Sequence, residues 1–258
     1  MLDFQDLDFT TEKFRELCSA LAENYTSVTI EQYLTAGNDL PDRFVLMRHD
    51  VDGKAIPSLR TALIEKEFGI RATYYFRAKR NIYVPEVIQQ IEAMGHEIGY
   101  YYETLSDSNG DYEKAIKLFG EEVQRFRSIC TLKTISMHGA SLSKYDNRDL
   151  WNRYDFKDFG IIGEAYLSLG EELNYFTDTG RGWNSKNNLR DFIPGRTQKF
   201  VAETTDDLIR LIETGKMENL YITLHPDRWT STTFRWALFW VQDLAFNSAK
   251  KALRMMRK

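Results

Sequence analysis

The chain has 258 residues, of which 43% are hydrophobic and 28% are charged. A chain of this size buries roughly three quarters of the surface that its unfolded form exposes, and the composition argues against global disorder. The 34 basic and 38 acidic residues give a net charge of −4. The absence of a basic excess argues against a general nucleic-acid-binding protein.

The cysteines and the N-terminus bear on the compartment. Cys18 and Cys130 are too few for a disulfide scaffold and are typical of a reducing compartment. Residues 1–6 are acidic and lack the apolar core of a secretion signal. No uncharged apolar run approaches the ~20 residues of a membrane-spanning helix. We therefore expect a cytoplasmic protein without a membrane span.

The predicted elements alternate along the chain, as judged from apolar spacing, capping residues and glycine stops. Helices are predicted over 11–25, 29–36, 58–68, 85–94, 111–129, 146–154, 204–214 and 233–257. Strands are predicted over 44–50, 72–77, 97–102, 133–138, 160–166, 175–179 and 220–225. Strands that alternate with helices indicate right-handed crossovers and a parallel sheet.

The predicted strands have one apolar and one polar face. Ile135 and Met137 share one side of their strand, whereas Ser136 and His138 share the other. A sheet covered on both faces is apolar on both, so a polar face that ends in histidine favours a distorted seven-stranded (β/α) barrel, similar to a TIM barrel. Its active site is expected at the carboxyl ends of the strands. We expect a single domain, composed of a helical extension over 1–40, the barrel over 41–226 and a C-terminal helix over 227–258.

The first candidate cluster follows the first predicted strand. Asp50 and Asp52 are two residues apart and point the same way if the strand persists, with Arg48 below them and His49 on the other side. Two carboxylates at the end of a strand can divide the roles of base and metal ligand. The alternative is a turn, Asp-Val-Asp-Gly, followed by a helix cap.

Later strands contribute the other candidates. Tyr101 and Glu103 share a face at the end of the third predicted strand and are predicted to bind substrate. His138 and His225 end the fourth and seventh strands. Imidazole serves as a metal ligand when neutral and as a general acid when charged. His96 begins its strand and is therefore expected to be structural. An aromatic packing ridge is the alternative for the tyrosines, and a simple hydrogen-bonded histidine for His138 or His225.

Two further segments are ambiguous. Arg181 can pair with a carboxylate, and Trp183 can stack on a sugar ring or wall a pocket, but a Gly-Arg-Gly turn anchored by tryptophan is equally consistent. The basic residues of 250–258 suit an anionic membrane or glycan, or alternatively the last turn of a solvated helix.

Four motifs in order resemble those of a known family. They are Asp50-Val51-Asp52, Ala72-Thr73-Tyr74-Tyr75-Phe76, Gly95-His96-Glu97-Ile98-Gly99 and Leu224-His225-Pro226. This order resembles the polysaccharide deacetylases of carbohydrate esterase family 4, which share the chitooligosaccharide deacetylase homology domain. The resemblance covers about residues 44–226 and implies a distorted seven-stranded barrel. It also implies a carbohydrate substrate that loses an N- or O-acetyl group, and a divalent metal, commonly zinc, that activates water.

Individual roles follow from the same resemblance. Asp50 matches the catalytic base, and His225 matches the general acid. Val51 stands where the family has its metal-binding aspartate, so Asp52 is the nearest substitute ligand. Either Arg48 or Arg181 would replace the arginine that pairs with the base.

The chain departs from the family at the two metal-binding histidines. Their positions carry Tyr101 and Leu105, and leucine cannot bind zinc. A metal bound by Asp52 then needs a further ligand, either Glu103 or His138. We expect a carbohydrate deacetylase with metal-assisted attack by water. The alternatives are a protein of this fold that binds a glycan without turnover, and a hydrolase that uses aspartate and histidine without metal.

Overall fold

The computed structural model describes residues 7–139, 143–183, 199–234, 236–238 and 241. The strands in these ranges are β1 (Thr26–Val28), β2 (Phe44–Val51), β3 (Thr73–Phe76), β4 (Glu97–Tyr102), β5 (Thr134–Met137), β6 (Gly163–Glu164), β7 (Asn174–Thr177) and β8 (Leu220–Leu224). The α-helices are α1 (Thr11–Asn24), α2 (Ile30–Thr35), α3 (Ala55–Glu67), α4 (Pro85–Ala93), α5 (Thr104–Asp107), α6 (Tyr112–Arg127) and α7 (Thr205–Glu213). Short 3-10 helices span Gly37–Asp39, Asn147–Asn152, Phe156–Phe159 and Pro226–Arg228.

All strand pairs are parallel, and the strand order is β6-β5-β4-β3-β2-β8-β7. The short β1 pairs with the beginning of β2 outside this path. In the described ranges no backbone pairing joins β6 to β7. The Tyr221 hydroxyl on β8 donates to the carbonyl of Ala165, the residue after β6, at 3.3 Å. The sheet is thus a distorted seven-stranded (β/α) barrel, as predicted from the sequence, with β1 added. β1 escaped prediction because three residues are too few to show strand periodicity.

The inner face of the barrel is polar, as the alternation predicts. The Tyr75 hydroxyl pairs with Thr134 Oγ1 at 2.9 Å, and Thr73 Oγ1 donates to Glu97 Oε2 at 2.7 Å. Burial raises the pKa of Glu97, although hydrogen bonds, of which the bond from Thr134 is the strongest, act in the opposite direction. A carboxylate in the barrel is therefore satisfied by hydroxyl groups from the two strands beside its own, Thr73 on β3 and Thr134 on β5.

The outer face of the barrel is apolar and is covered by helices. Ile135 and Met137 are fully buried in the hydrophobic core. Helix α1 begins at an N-cap in which Thr10 Oγ1 accepts the Lys13 amide hydrogen at 3.1 Å. Helices α2 and α7 each begin with a capping box. These caps explain why helix starts are readable from the sequence.

Two predicted elements differ from the structure. The helix predicted over 146–154 is a 3-10 helix, Asn147–Asn152. The strand predicted over 160–166 shortens to Gly163–Glu164 because the Glu164 carboxylate accepts the amide hydrogens of Tyr166 and Leu167 and turns the chain. A side chain that captures its own backbone competes with sheet pairing.

The last predicted helix, 233–257, is only partly within the described residues. Helical conformation is present at 233–234, 236–238 and 241, and the remainder lies outside the described residues. No helix within the described ranges has the length and apolar character required to cross a bilayer.

Candidate active site

Polar side chains from most strands meet at the carboxyl end of the barrel. They are Asp52 after β2, Arg77 after β3, Glu103 after β4, His138 after β5, Asp178 after β7 and His225 after β8. Parallel strands bring their carboxyl ends to one rim, so residues distant in sequence become neighbours. We name this group the rim cluster.

His225 is held by the buried carboxylate of Asp178. Its Nδ1 donates to Asp178 Oδ1 at 2.6 Å, and its backbone amide donates to Oδ2 at 2.9 Å. Arg228 and the Trp229 indole also donate to this carboxylate, at 2.9 and 3.1 Å. Burial favours the protonated acid, but the charges of His225 and Arg228 lower the pKa of Asp178 to about 2. Burial and Arg228 disfavour charge on His225, yet Asp178 and Asp52 raise its pKa above the usual value.

His138 is held in the same manner by Glu103. Its Nδ1 donates to Glu103 Oε2 at 2.8 Å, while Arg77 Nη2 donates to both oxygens of that carboxylate at 2.7 Å. Arg77 also donates to the Asp52 carbonyl at 3.1 Å. Burial alone raises the pKa of Glu103, but His138 and Arg77 lower it to about 2. Arg77 therefore ties the second imidazole to the loop that holds Asp52.

Asp52 lies between the two imidazoles. His138 Nε2 is 3.6 Å from its Oδ1, and His225 Nε2 is 3.7 Å from its Oδ2. Because each Nδ1 donates to a carboxylate, each Nε2 is left with a lone pair when the ring is neutral. The Asp52 side chain is 39% exposed, which makes it the most solvent-accessible group of the three. Solvent thus reaches the point where two imidazoles face one carboxylate.

The loop after Asp52 is fixed by Asp227. Asp227 Oδ2 accepts the amide hydrogens of Gly53 and Lys54 at 3.1 and 3.3 Å. A Cβ at position 53 would come within 2.5 Å of that oxygen, so this close approach requires glycine. The turn predicted for Asp-Val-Asp-Gly therefore exists and also orients Asp52.

The structure places Asp50, the predicted base, in a buried ion pair with Arg48. Its two oxygens accept hydrogen bonds from Arg48 Nε and Nη2 at 2.6 and 2.7 Å, and neither side chain has any exposed surface. Burial raises the pKa of Asp50, and the charge of Arg48 opposes that shift. Asp50 has no exposed surface, whereas the Asp52 side chain is 39% exposed, so Asp52 is the accessible carboxylate of the two. Of the two arginines proposed to pair with Asp50, Arg48 does so and Arg181 does not.

The structure places Arg181 and Trp183, predicted to bind substrate, against aromatic side chains. Trp183 is fully buried, and its indole donates to Thr205 Oγ1 at 3.0 Å. The Arg181 guanidinium lies over the rings of Phe9 and Trp236, at 5.8 and 5.5 Å from their centroids. Both side chains belong to the aromatic packing that joins the two ends of the described chain. This packing corresponds to the alternative of a Gly-Arg-Gly turn anchored by tryptophan.

Tyr101 and Glu103, predicted to bind substrate, both contact His138. Tyr101 is 2% exposed, and its ring meets the His138 ring edge-on at 5.1 Å. The Glu103 oxygens are taken by His138 and Arg77. These two residues position His138 instead of lining an open pocket.

The arrangement does not provide a complete metal site. Within the described residues, no three His, Cys, Asp or Glu side chains lie together in a group that could hold a metal ion. A catalytic zinc site normally has three protein ligands. The residues at the positions of the family's histidines, Tyr101 and Leu105, are both buried. Asp52 Oδ1 is itself buried without a hydrogen-bond partner in the described structure, although its nearest imidazole is only 3.6 Å away.

Three members of the site were not singled out from the sequence. Asp178, Arg77 and Arg228 each follow a strand or its terminal histidine. Their position at the end of a predicted strand, or three residues after it for Arg228, was the available signal, because the ends of parallel strands lie at the rim. Arginines and aspartates at strand ends are too common for position alone to identify them.

Comparison with known proteins shows only a distant likeness. No protein-family model matches the sequence, and no curated protein matches it. Similar solved structures include peptidoglycan deacetylase PdaC from Bacillus subtilis, with 13% identity, a TM-score of 0.40, and coverage of 84% of this chain and 96% of that chain. They also include BA3943 from Bacillus anthracis, described as a CE4 family pseudoenzyme, with 14% identity, a TM-score of 0.41, and coverage of 81% and 66%.

A mutant of BA3943 described as having restored enzymatic activity is also similar, with 12% identity, a TM-score of 0.41, and coverage of 82% and 69%. These are chains of the deacetylase fold. At such identities and TM-scores the likeness carries no argument about the activity of this chain, and its own strand order defines the fold.

Proposed function

We propose that this protein is a hydrolase that removes an acetyl group from a carbohydrate. The observation that best supports the proposal is the position of Asp52 between the Nε2 atoms of His138 and His225. Each imidazole is held through Nδ1 by a carboxylate, the arrangement used to orient a histidine for proton transfer. The substrate class rests on the order of the sequence motifs.

In the proposed reaction Asp52 accepts one proton and His225 donates another. Water attacks the acetyl carbonyl carbon, and Asp52 accepts the proton that the water loses. The bond from that carbon to the sugar nitrogen or oxygen then breaks, and His225 Nε2 donates a proton to the leaving atom. The raised pKa of His225 suits this donor, because it keeps the ring charged to a higher pH. His138 orients the water and Asp52.

The distances leave room for a substrate. Separations of 3.6 and 3.7 Å are longer than a hydrogen bond, so neither imidazole is committed to Asp52. A water molecule or a substrate oxygen can therefore bond to each Nε2 without first breaking an internal contact. Catalytic contacts of this kind often tighten only when the substrate is bound.

A metal-dependent form of the same reaction is the second candidate. It is favoured by Asp52 Oδ1, which is buried without a hydrogen-bond partner beside His138 Nε2 in the described structure. Asp52 and His138 are the side chains that would hold the ion, and they supply two of the three protein ligands that a catalytic zinc site normally has. When bound, the ion would polarise the acetyl carbonyl and acidify water.

The test is acetate release from N-acetylated chitooligosaccharides and from an aryl acetate. We expect turnover by the intact chain and a loss of about 100-fold or more in Asp52→Asn and His225→Gln, since positioned acid–base groups contribute this much. Asp206→Asn, a change to an exposed carboxylate on α7, is the matched control and should retain full activity.

Two further measurements separate the alternatives. Activity that survives a chelator supports the metal-free reaction, whereas activity that a chelator removes and zinc restores supports the metal-dependent one. If calorimetry detects sugar binding but no acetate is released from either substrate, the protein binds glycans without turnover and the hydrolase proposal is wrong.

A further inference from the structure

The segment that precedes α1 is tied to the loop after β8 by backbone hydrogen bonds. The Thr230 amide donates to the Phe9 carbonyl at 3.3 Å, and the Thr11 amide donates to the Thr230 carbonyl at 3.1 Å. These bonds form a short parallel bridge between Thr10 and Thr230. We name residues 8–10 the strap. The strap therefore lies directly against the loop that leaves the rim cluster.

Phe9 in the strap has a backbone conformation that bulky residues rarely adopt. Its φ is +59°, in the left-handed region, where the Cβ is crowded and the conformation persists only if surrounding contacts enforce it. The Asp8 carboxylate supplies such contacts, because it accepts the Phe9 amide hydrogen at 2.7 Å and the Thr205 amide hydrogen at 2.8 Å. Strained residues are concentrated where a structure must hold a side chain at one place. The strained backbone therefore indicates that the position of the Phe9 ring matters.

The Phe9 ring packs against the indole of Trp229. The two ring centroids are 5.2 Å apart, and the Phe14 ring on α1 contacts the same indole at 5.1 Å. Trp229 is 1% exposed. Because the interior is closely packed, aromatic rings from the strap and from α1 leave the indole with one orientation.

The indole N–H of Trp229 connects this packing to the rim cluster. It donates to Asp178 Oδ2 at 3.1 Å, the same oxygen that accepts the His225 amide hydrogen at 2.9 Å. The other oxygen, Oδ1, binds His225 Nδ1 at 2.6 Å. The carboxylate cannot turn about its Cβ–Cγ bond without breaking the bond to Trp229, so the imidazole keeps its orientation.

We propose that Phe9 and Trp229 are positioning residues that act through Asp178 to hold His225 for proton transfer. This inference rests on the proposed hydrolase, in which His225 protonates the leaving atom. The alternative is an aromatic core that only stabilises the fold. Such a core needs neither the strained backbone of Phe9 nor an indole directed at the carboxylate that binds the imidazole.

The experiment compares two buried tryptophans of one aromatic cluster. Trp229→Phe keeps a packed ring but removes the donor to Asp178. Trp183→Phe is the matched control, because Trp183 lies 6.2 Å from Trp229 and donates instead to Thr205 Oγ1 at 3.0 Å. We expect kcat for acetate release to fall on the order of tenfold in Trp229→Phe with KM unchanged, since a misplaced acid weakens only the transition state. Trp183→Phe should change neither constant.

A variant of the strap tests the first contact of the series. Phe9→Gly removes the ring and also relieves the backbone strain, because glycine adopts a positive φ without crowding. We expect kcat to fall severalfold with KM unchanged, as in Trp229→Phe, because the indole loses one of the rings that hold it.

Proton NMR provides a readout that does not need turnover. The hydrogen between His225 Nδ1 and Asp178 should give a downfield resonance in the intact chain and in Trp183→Phe. In Trp229→Phe this resonance should be lost by exchange with solvent. Urea unfolding shows that each variant is folded.

The outcomes separate this proposal from the proposed hydrolase. Equal losses of kcat in the two tryptophan variants overturn it, as does an unchanged kcat in Phe9→Gly. Retention of the downfield resonance in Trp229→Phe also overturns it. If the intact chain releases no acetate, the hydrolase proposal fails, whereas the resonance still shows whether Trp229 positions His225.

Discussion

At the scale of single residues, the rim cluster consists of two units of similar construction. In each unit an arginine holds a carboxylate, and the carboxylate holds a histidine through Nδ1. The units are Arg228–Asp178–His225 and Arg77–Glu103–His138. Because each carboxylate is ionised, each imidazole is fixed in one orientation with Nε2 toward Asp52. The reactive geometry of the site therefore depends on charges that do not contact the substrate.

The first prediction concerns Asp178, whose charge raises the pKa of His225. Asp178→Asn removes that charge, so the pKa of His225 falls and the protonated ring is lost at a lower pH. We expect kcat/KM at neutral pH to fall by about 100-fold and its alkaline limb to move to lower pH. The measurement is the pH profile of acetate release, with Asp206→Asn as the control. An alkaline limb that stays in place would show that His225 is not the acid.

The second prediction concerns the buried pair of Arg48 and Asp50. Arg48→Met leaves an unpaired carboxylate in the barrel and should lower the free energy of unfolding by about 3–5 kcal/mol. Arg48→Met/Asp50→Leu removes both charges and should recover most of that loss. Urea unfolding of the two variants checks this, and a double variant less stable than the single one would contradict it.

At the scale of elements, β3 and β4 pack closely because Gly99 on β4 has no side chain. The Tyr75 ring occupies the space in front of Gly99, where a Cβ would lie within about 2.2 Å of the ring. Tyr75 in turn hydrogen-bonds Thr134 on β5. One glycine thus allows a large aromatic ring to link three strands inside the barrel.

The third prediction follows from this contact. Gly99→Ala should destabilise the protein by about 1–3 kcal/mol, because the buried ring must shift in a tightly packed interior. Gly69→Ala is the control, since nothing lies within 4 Å of its Cβ position and only the backbone cost of its φ of +69° applies. Chemical denaturation compares them, and equal losses would mean that Tyr75 is not constrained as described.

At the scale of the whole molecule, a buried arginine joins distant parts of the barrel by side-chain hydrogen bonds. Arg48 donates to the Tyr166 hydroxyl at 3.1 Å and to the Tyr221 hydroxyl at 3.0 Å, which connects β2, β8 and the segment after β6. Buried polar groups thus connect strands across the interior of the barrel. The stability of the molecule consequently depends on the ionisation of its interior and rim.

The fourth prediction concerns this dependence on pH. The folded-state pKa of Glu103, about 2, lies below its ordinary value, so it stabilises the fold above about pH 4.5, and this contribution is lost as the pH falls toward 2. The stability difference between the intact chain and Glu103→Gln should shrink by on the order of 2 kcal/mol between pH 6 and pH 3. Urea unfolding at each pH measures it. The other carboxylates titrate equally in the intact protein and in Glu103→Gln. A stability difference that does not change with pH would therefore refute the lowered pKa of Glu103.

Local periodicity was enough to predict the barrel and most of its rim. The alternation of Ile135 and Met137 with Ser136 reports which side of a strand faces the helices, and this information is contained within a few residues. The same reasoning places Asp52, His138 and His225 at strand ends, because chain direction in a parallel barrel is fixed by the order of the elements.

Only the tertiary structure decided which of these residues meet. Nothing near Asp50 in the sequence indicates that Arg48 occupies both of its oxygens in a dry interior, or that Trp183 packs in an aromatic core. Asp178 and His225 are far apart in sequence and become partners because β7 and β8 are neighbours. Spacing along a chain specifies which side of an element a residue occupies, whereas burial and pairing depend on distances between elements that form only when the barrel closes.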